Sequence, residues 1–101
     1  VSGGVRHVVV FTWREGVTPE QVESVAAALR RLPEVIEQIR DYRLGPDLGV
    51  NEGNADFVVV ADFASLDDYL TYRDHPAHRA VVTETILPLL AARSAVQYEI
   101  S

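Results

Sequence analysis

The segment Tyr72-Arg73-Asp74-His75-Pro76-Ala77-His78 sets a phenol and two of the chain's three imidazoles within seven residues. The third imidazole, His7, lies in the first apolar stretch of the chain. Imidazole titrates near neutrality and a phenol both donates and accepts hydrogen bonds. His78, Tyr72 and His7 are therefore suited to general acid–base work if one cavity brings them together. Phe11 and Trp13 alternate with His7 on one strand face and would give such a cavity apolar walls. Each residue also admits a structural reading. His75, ahead of Pro76, can end one helix and cap the next. His78 can be satisfied by a backbone carbonyl or by Tyr72, Tyr72 can be a core tyrosine with a paired hydroxyl, and Phe11 and Trp13 can be ordinary core. Three imidazoles split by a proline are a weak ligand set, and no metal is expected.

Composition narrows the chemistry further. All nine basic residues are arginine, so lysine Schiff-base chemistry is absent, and without cysteine there is no thiolate nucleophile, disulfide or sulfur-ligated metal. A net charge of −6 with scattered arginines offers no basic patch for a phosphate backbone, so nucleic acid is not an expected partner. No apolar run reaches the roughly 20 residues of a spanning helix. The first residues show no secretory pattern, and the expected location is cytoplasmic, away from any membrane. A chain of 101 residues is read as a single domain, 1–101, with room for one core.

The elements that must position these side chains follow from periodicity. Val5 to Arg14 alternates as a strand, with His7, Val9, Phe11 and Trp13 on one face and Val8 and Val10 on the other. Thr18-Pro19-Glu20-Gln21 is a capping-box start, and Val22, Val25, Ala26, Leu29 and Leu32 follow at helical spacing, predicting a helix over 18–32 that Pro33 stops. A second strand is predicted over 38–45, with Arg40, Tyr42 and Leu44 opposite Ile39, Asp41 and Arg43. A long hairpin loop over 45–54 and a third strand over 56–63 come next. Ser65 caps a second helix that breaks at His75-Pro76 and resumes toward Leu89, with Pro88 expected to kink its end, and residues 94–100 form a fourth strand. The order strand, helix, strand, strand, helix, strand is the α+β ferredoxin-like βαββαβ pattern, with both helices on one face of an antiparallel sheet. The other face, bearing Val8, Val10, Val58 and Val60, would be an exposed apolar patch. A homodimer packed sheet against sheet, a dimeric α+β barrel, is therefore expected, provided that Thr12 and Asp62 find partners there.

Taken in order, His7-Val8-Val9-Val10-Phe11, Thr18-Pro19-Glu20-Gln21 and Tyr72-Arg73-Asp74-His75-Pro76-Ala77-His78 resemble the stress-responsive dimeric A/B barrel domain family. The likeness runs from Val5 to Ile100 and implies the same homodimeric barrel. One branch of the family, typified by the plant olivetolic acid cyclase, closes a linear poly-β-ketone by an aldol step, and Tyr72, His78 and His7 correspond to its pocket residues, with His75 a further pocket-side imidazole. The resemblance implies that His78 removes a proton beside a carbonyl, Tyr72 hydrogen-bonds the substrate or enolate and His7 assists orientation, with no cofactor. Arg73 and Asp74 add charge where that branch has apolar residues. The expected function is binding of a small carbonyl-bearing or aromatic ligand, with cofactor-free cyclase or lyase chemistry as its enzymatic form. The rival readings are a non-enzymatic stress or assembly protein and a cofactor-free monooxygenase of the dimeric-barrel type.

Overall fold

A computed structural model of the chain describes residues 3–100. The strands β1 (Gly4–Trp13), β2 (Ile39–Pro46), β3 (Phe57–Phe63) and β4 (Leu90–Ile100) form one antiparallel sheet in the order β2-β3-β1-β4. Helices α1 (Pro19–Arg30) and α2 (Leu32–Val35) join β1 to β2, and α3 (Leu66–Asp74) and α4 (Pro76–Val81) join β3 to β4. This is the ferredoxin-like α+β arrangement anticipated from the element order. Alternation decides which sheet face the helices cover. Val5, His7, Val9 and Phe11 of β1 and Phe57, Val59, Ala61 and Phe63 of β3 are buried, whereas Val8, Val10, Val58 and Val60 between them remain half-exposed. The buried side closes on Val25, Ala26, Leu29, Leu32 and Ile36 from the first helical layer and on Tyr72 and Ile86 from the second.

Local chemistry fixes the helix starts. Thr18 and Gln21 form the reciprocal capping box, with the Gln21 backbone N–H donating to Thr18 Oγ1 at 3.2 Å and the Thr18 N–H to Gln21 Oε1 at 2.8 Å. Ser65 Oγ accepts from the Asp68 N–H at 3.1 Å, a one-way cap that starts α3. The hairpin loop after β2 turns on Gly49 and Gly53, whose φ angles of 77° and 83° suit only glycine without strain.

Four expectations are corrected. Pro33 does not end the helical run but sits in the first turn of α2, where its missing N–H costs nothing. Arg40 is a bulge in β2 without a partner in β3, so Ile39, Tyr42 and Leu44 all pack toward the core instead of falling on opposite faces. The segment after α4 is not a simple continuation: a π-helical turn, Val82–Ile86, and a 3-10 turn, Leu87–Leu89, carry the chain past Pro88. β4 starts at Leu90, four residues ahead of the predicted Ser94.

On the open sheet face Asp62 does find a partner. Arg6 grips it with both ends of the guanidinium, at 2.7 Å from Nε and 2.8 Å from the terminal nitrogen, and also reaches the Tyr98 hydroxyl at 3.3 Å. The Arg6 hydrogen bond holds the Asp62 carboxyl below its ordinary range.

Candidate functional site

The sheet face under α3 and α4 is not fully packed. A cavity of about 640 Å³ opens between β1 and β4 on one side and α3, α4 and the π-turn on the other. Its floor is β1, where His7, Val9 and Phe11 project inward, and strand pairing sets Gln97, Ala95 and Arg93 of β4 directly beside them. Tyr69, Tyr72 and His78 come from the opposite side, and Val82, Thr83 and Ile86 of the π-turn close the far wall.

His7, Tyr72, His78 and Phe11 thus share one cavity. The His78 ring lies over Tyr72 with centroids 4.2 Å apart, and His7 stands 5.1 Å from Tyr69 and 6.2 Å from Tyr72. His75 and Trp13 stand elsewhere. Pro76 follows His75 and opens α4, so the extended His75 becomes the N-cap, its Nδ1 accepting from the Ala77 N–H at 3.0 Å. Trp13 packs on Phe11 and Phe57 at 5.4 and 5.8 Å, beyond the cavity wall, with its indole N–H buried and unpaired.

Hydrogen bonds set the two cavity imidazoles to opposite tautomers. His78 Nδ1 lies 3.0 Å from the Arg73 carbonyl oxygen, which can only accept, so Nδ1 carries the proton and Nε2 of the neutral ring presents a lone pair. At His7 the Gln97 amide donates to Nδ1 at 2.8 Å, which leaves the proton on Nε2. Among the described residues neither Nε2 bonds to protein and neither is a buried polar atom lacking a partner, so both keep some accessible surface. One ring offers a base and the other a donor.

The surroundings keep both rings neutral. Burial, reinforced by His78 and Arg93, pushes His7 down to about 4. Burial also lowers His78, with Arg79, His75 and Arg93 adding to it and the Arg73 carbonyl opposing it. Tyr72 is pushed up, first by burial and then by Tyr42, whose hydroxyl lies 2.8 Å from its own, and burial raises Tyr42 to about 12. Both phenols therefore stay protonated at neutrality, and either can donate to the other. Among the described residues no three His, Cys, Asp or Glu side chains stand close enough to hold a metal ion.

Sequence reasoning did not find Gln97, Tyr42, Tyr69 or Arg93. The alternation of β4 set Gln97 and Ala95 on one face, but only the register of β4 on β1 shows that Gln97 meets His7, 90 residues away in sequence.

The profile of the stress responsive A/B barrel domain family matches residues 5–100. A stress-response A/B barrel domain-containing protein of Arabidopsis thaliana is 27% identical over 79 residues, covering 76% of this chain and 72% of that protein. The crystal structure of a dimeric ferredoxin-like protein of unknown function from Thermobifida fusca is 47% identical, with a TM-score of 0.89 over 96% of this chain and 91% of that one. A dimeric protein of ferredoxin-like fold and unknown function from Bacteroides fragilis is 30% identical, with a TM-score of 0.84 over 97% of each chain. A hydroxynitrile lyase from Passiflora edulis superposes with a TM-score of 0.86 over 98% of this chain and 94% of its own at 19% identity, a likeness that shows the fold alone.

Proposed function

The chain belongs to the stress-responsive A/B barrel domain family, and from that premise and the cavity we propose a homodimer that binds a small carbonyl-bearing or aromatic compound and acts on it by cofactor-free acid–base catalysis. The observation that carries the reading is the opposed tautomers of His78 and His7 on the walls of one cavity. His78 Nε2 takes a proton from the carbon beside a carbonyl, and the His7 Nε2–H donates to the oxygen on which enolate charge gathers. The enolate carbon then attacks a second carbonyl of the same substrate. A carbon–carbon bond forms, and the imidazolium of His78 returns its proton to the new alkoxide. This is an aldol-type cyclisation, and its reverse is a lyase step. Low basicity suits His78 to the free-base form at neutral pH.

Tyr72 supports the step less directly than the sequence suggested, because its hydroxyl is engaged by Tyr42. That pairing favours a second reading, binding without turnover, in which the Tyr72 ring serves as a wall. The dimeric state of the Thermobifida and Bacteroides relatives supports pairing of this chain through its open sheet face.

Exchange of the acetyl protons of methyl 4-acetylbenzoate with deuterated solvent, followed by proton NMR, separates the two readings. Catalysis predicts exchange above the buffer rate that falls about 100-fold or more in His78→Ala while the fold survives. Binding of the ester without any enzyme-dependent exchange would leave only the second reading.

A further inference from the structure

The cavity reverses the charge balance of the chain. The sequence holds fifteen carboxylates against nine arginines, yet the cavity wall carries Arg73, Arg79 and Arg93 and no Asp or Glu. Arg73 is engaged by its neighbour Asp74 at 2.9 Å. Among the described residues, no carboxylate pairs with Arg79 or Arg93, and neither guanidinium makes a hydrogen bond within the protein. Arg93 stands opposite Phe11 in the sheet register, on the inward face that also bears Ala95 and Gln97, so it shares the floor of the cavity with His7. Arg79 enters from α4, one residue after His78. Two exposed cations from opposite walls of one opening, neither in a salt bridge, give that opening a positive field in a chain with surplus acid elsewhere.

Resting on the reading of this cavity as a ligand pocket, we propose that its ligand carries a carboxylate, held at the cavity mouth by Arg93 and Arg79. The planar guanidinium matches a carboxylate in a two-pronged hydrogen bond, which a solvated ammonium would not. With the carboxylate anchored there, the apolar body of the ligand lies along Val9, Phe11, Leu29 and Ile86, and its carbonyl faces the imidazoles. The substrate class becomes an aromatic or keto acid rather than a neutral ketone. The same two cations that help keep His78 unprotonated would be neutralised by the bound carboxylate, so the ligand itself strengthens the base that acts on it.

Paired titrations of 4-acetylbenzoate and methyl 4-acetylbenzoate into the intact protein, followed by calorimetry or by ring-proton NMR, test the assignment. The acid should bind about tenfold tighter than the ester at low salt, and the advantage should shrink as salt is added. In Arg93→Gln the preference of acid over ester should fall to near parity, and in Arg79→Gln it should fall in part. Equal affinity of acid and ester for the unaltered protein would overturn the anion site and leave the pocket standing. Failure of both compounds to bind would overturn both. A preference that survives each substitution would overturn the assignment to these arginines.

Discussion

At His7, packing and titration pull on the same atom. The ring is 5% exposed, between Val5 and Val9 on the buried face of β1, and can remain there only uncharged. Its ordinary value of 6.5 falls to about 4 in the folded protein, so in that interval the unfolded chain binds a proton that the folded one refuses. Stability is thus fully present above 6.5 and is lost as the pH falls toward 4, by about 3 kcal/mol at most. Urea midpoints measured at the two ends of that interval should differ in the unaltered protein and differ less in His7→Gln. An unchanged slope in the variant would mean that His7 is not the group responsible. His78 contributes with the same sign, and Asp62, held low by Arg6, contributes only at still lower pH. The candidate residues were legible from type and spacing: two imidazoles and a phenol around a proline, and an imidazole among Val8, Val9, Val10 and Phe11. Their roles were not. The tautomer of His78 depends on the Arg73 carbonyl and that of His7 on Gln97, and the Tyr72 hydroxyl meets Tyr42 across the core. Those partners are set by strand register and helix placement, neither of which leaves a periodic trace in the sequence.

Among the elements, the junction of α3 and α4 separates structure from chemistry. The His75 backbone N–H bonds to the Tyr72 carbonyl at 3.2 Å, its side chain caps α4, and Pro76 fixes the first helical φ. His75→Ala should lower stability by about 1 kcal/mol, whereas His75→Asn, a good N-cap, should restore most of it. Neither should change the affinity for methyl 4-acetylbenzoate by more than about twofold, an effect well below 1 kcal/mol. A selective loss of ligand affinity in the Asn variant would return His75 to the site. The helix starts were readable because capping chemistry is local: Thr18 with Gln21, Ser65 with Asp68 and His75 with Pro76 each lie within a few residues. The bulge at Arg40 was not readable, since it exists only in relation to the pairing of β2 with β3. The early start of β4 has the same origin, because Leu90 joins the sheet through Trp13 across an irregular register step.

For the whole molecule, the open face of the sheet is the surface proposed for assembly. Val8, Val10, Val58, Val60 and Val96 form a contiguous apolar field, with Val96 56% exposed, and the Arg6–Asp62 pair with Tyr98 sits among them. A field of this kind is normally covered, and the relatives from Thermobifida fusca and Bacteroides fragilis are dimeric proteins. Val60→Arg should therefore shift the protein to monomers in sedimentation equilibrium, since an unpaired charge at the centre of two apposed sheets costs several kcal/mol. A variant that remained dimeric would move the interface to another surface. The open apolar face was foreseeable from alternation alone, as strands apolar on both sides cannot satisfy both with helices on one. The uneven cover of the other face was not foreseeable. β4 stays exposed along most of its length on the helix side too, and that gap is what leaves space for the cavity.

The π-turn at Val82–Ile86 supplies three residues of the cavity wall, and a π-turn arises where a helix holds one residue more than its regular winding accepts. The difference between a lined hollow and a filled interior can thus amount to a single codon gained or lost. Descendants of one ancestral barrel need not have evolved or abandoned a binding site through many substitutions. One in-frame deletion between Val82 and Ile86 would rewind the turn and swing Thr83 and Ile86 to new headings, with the far face of the sheet left as it is.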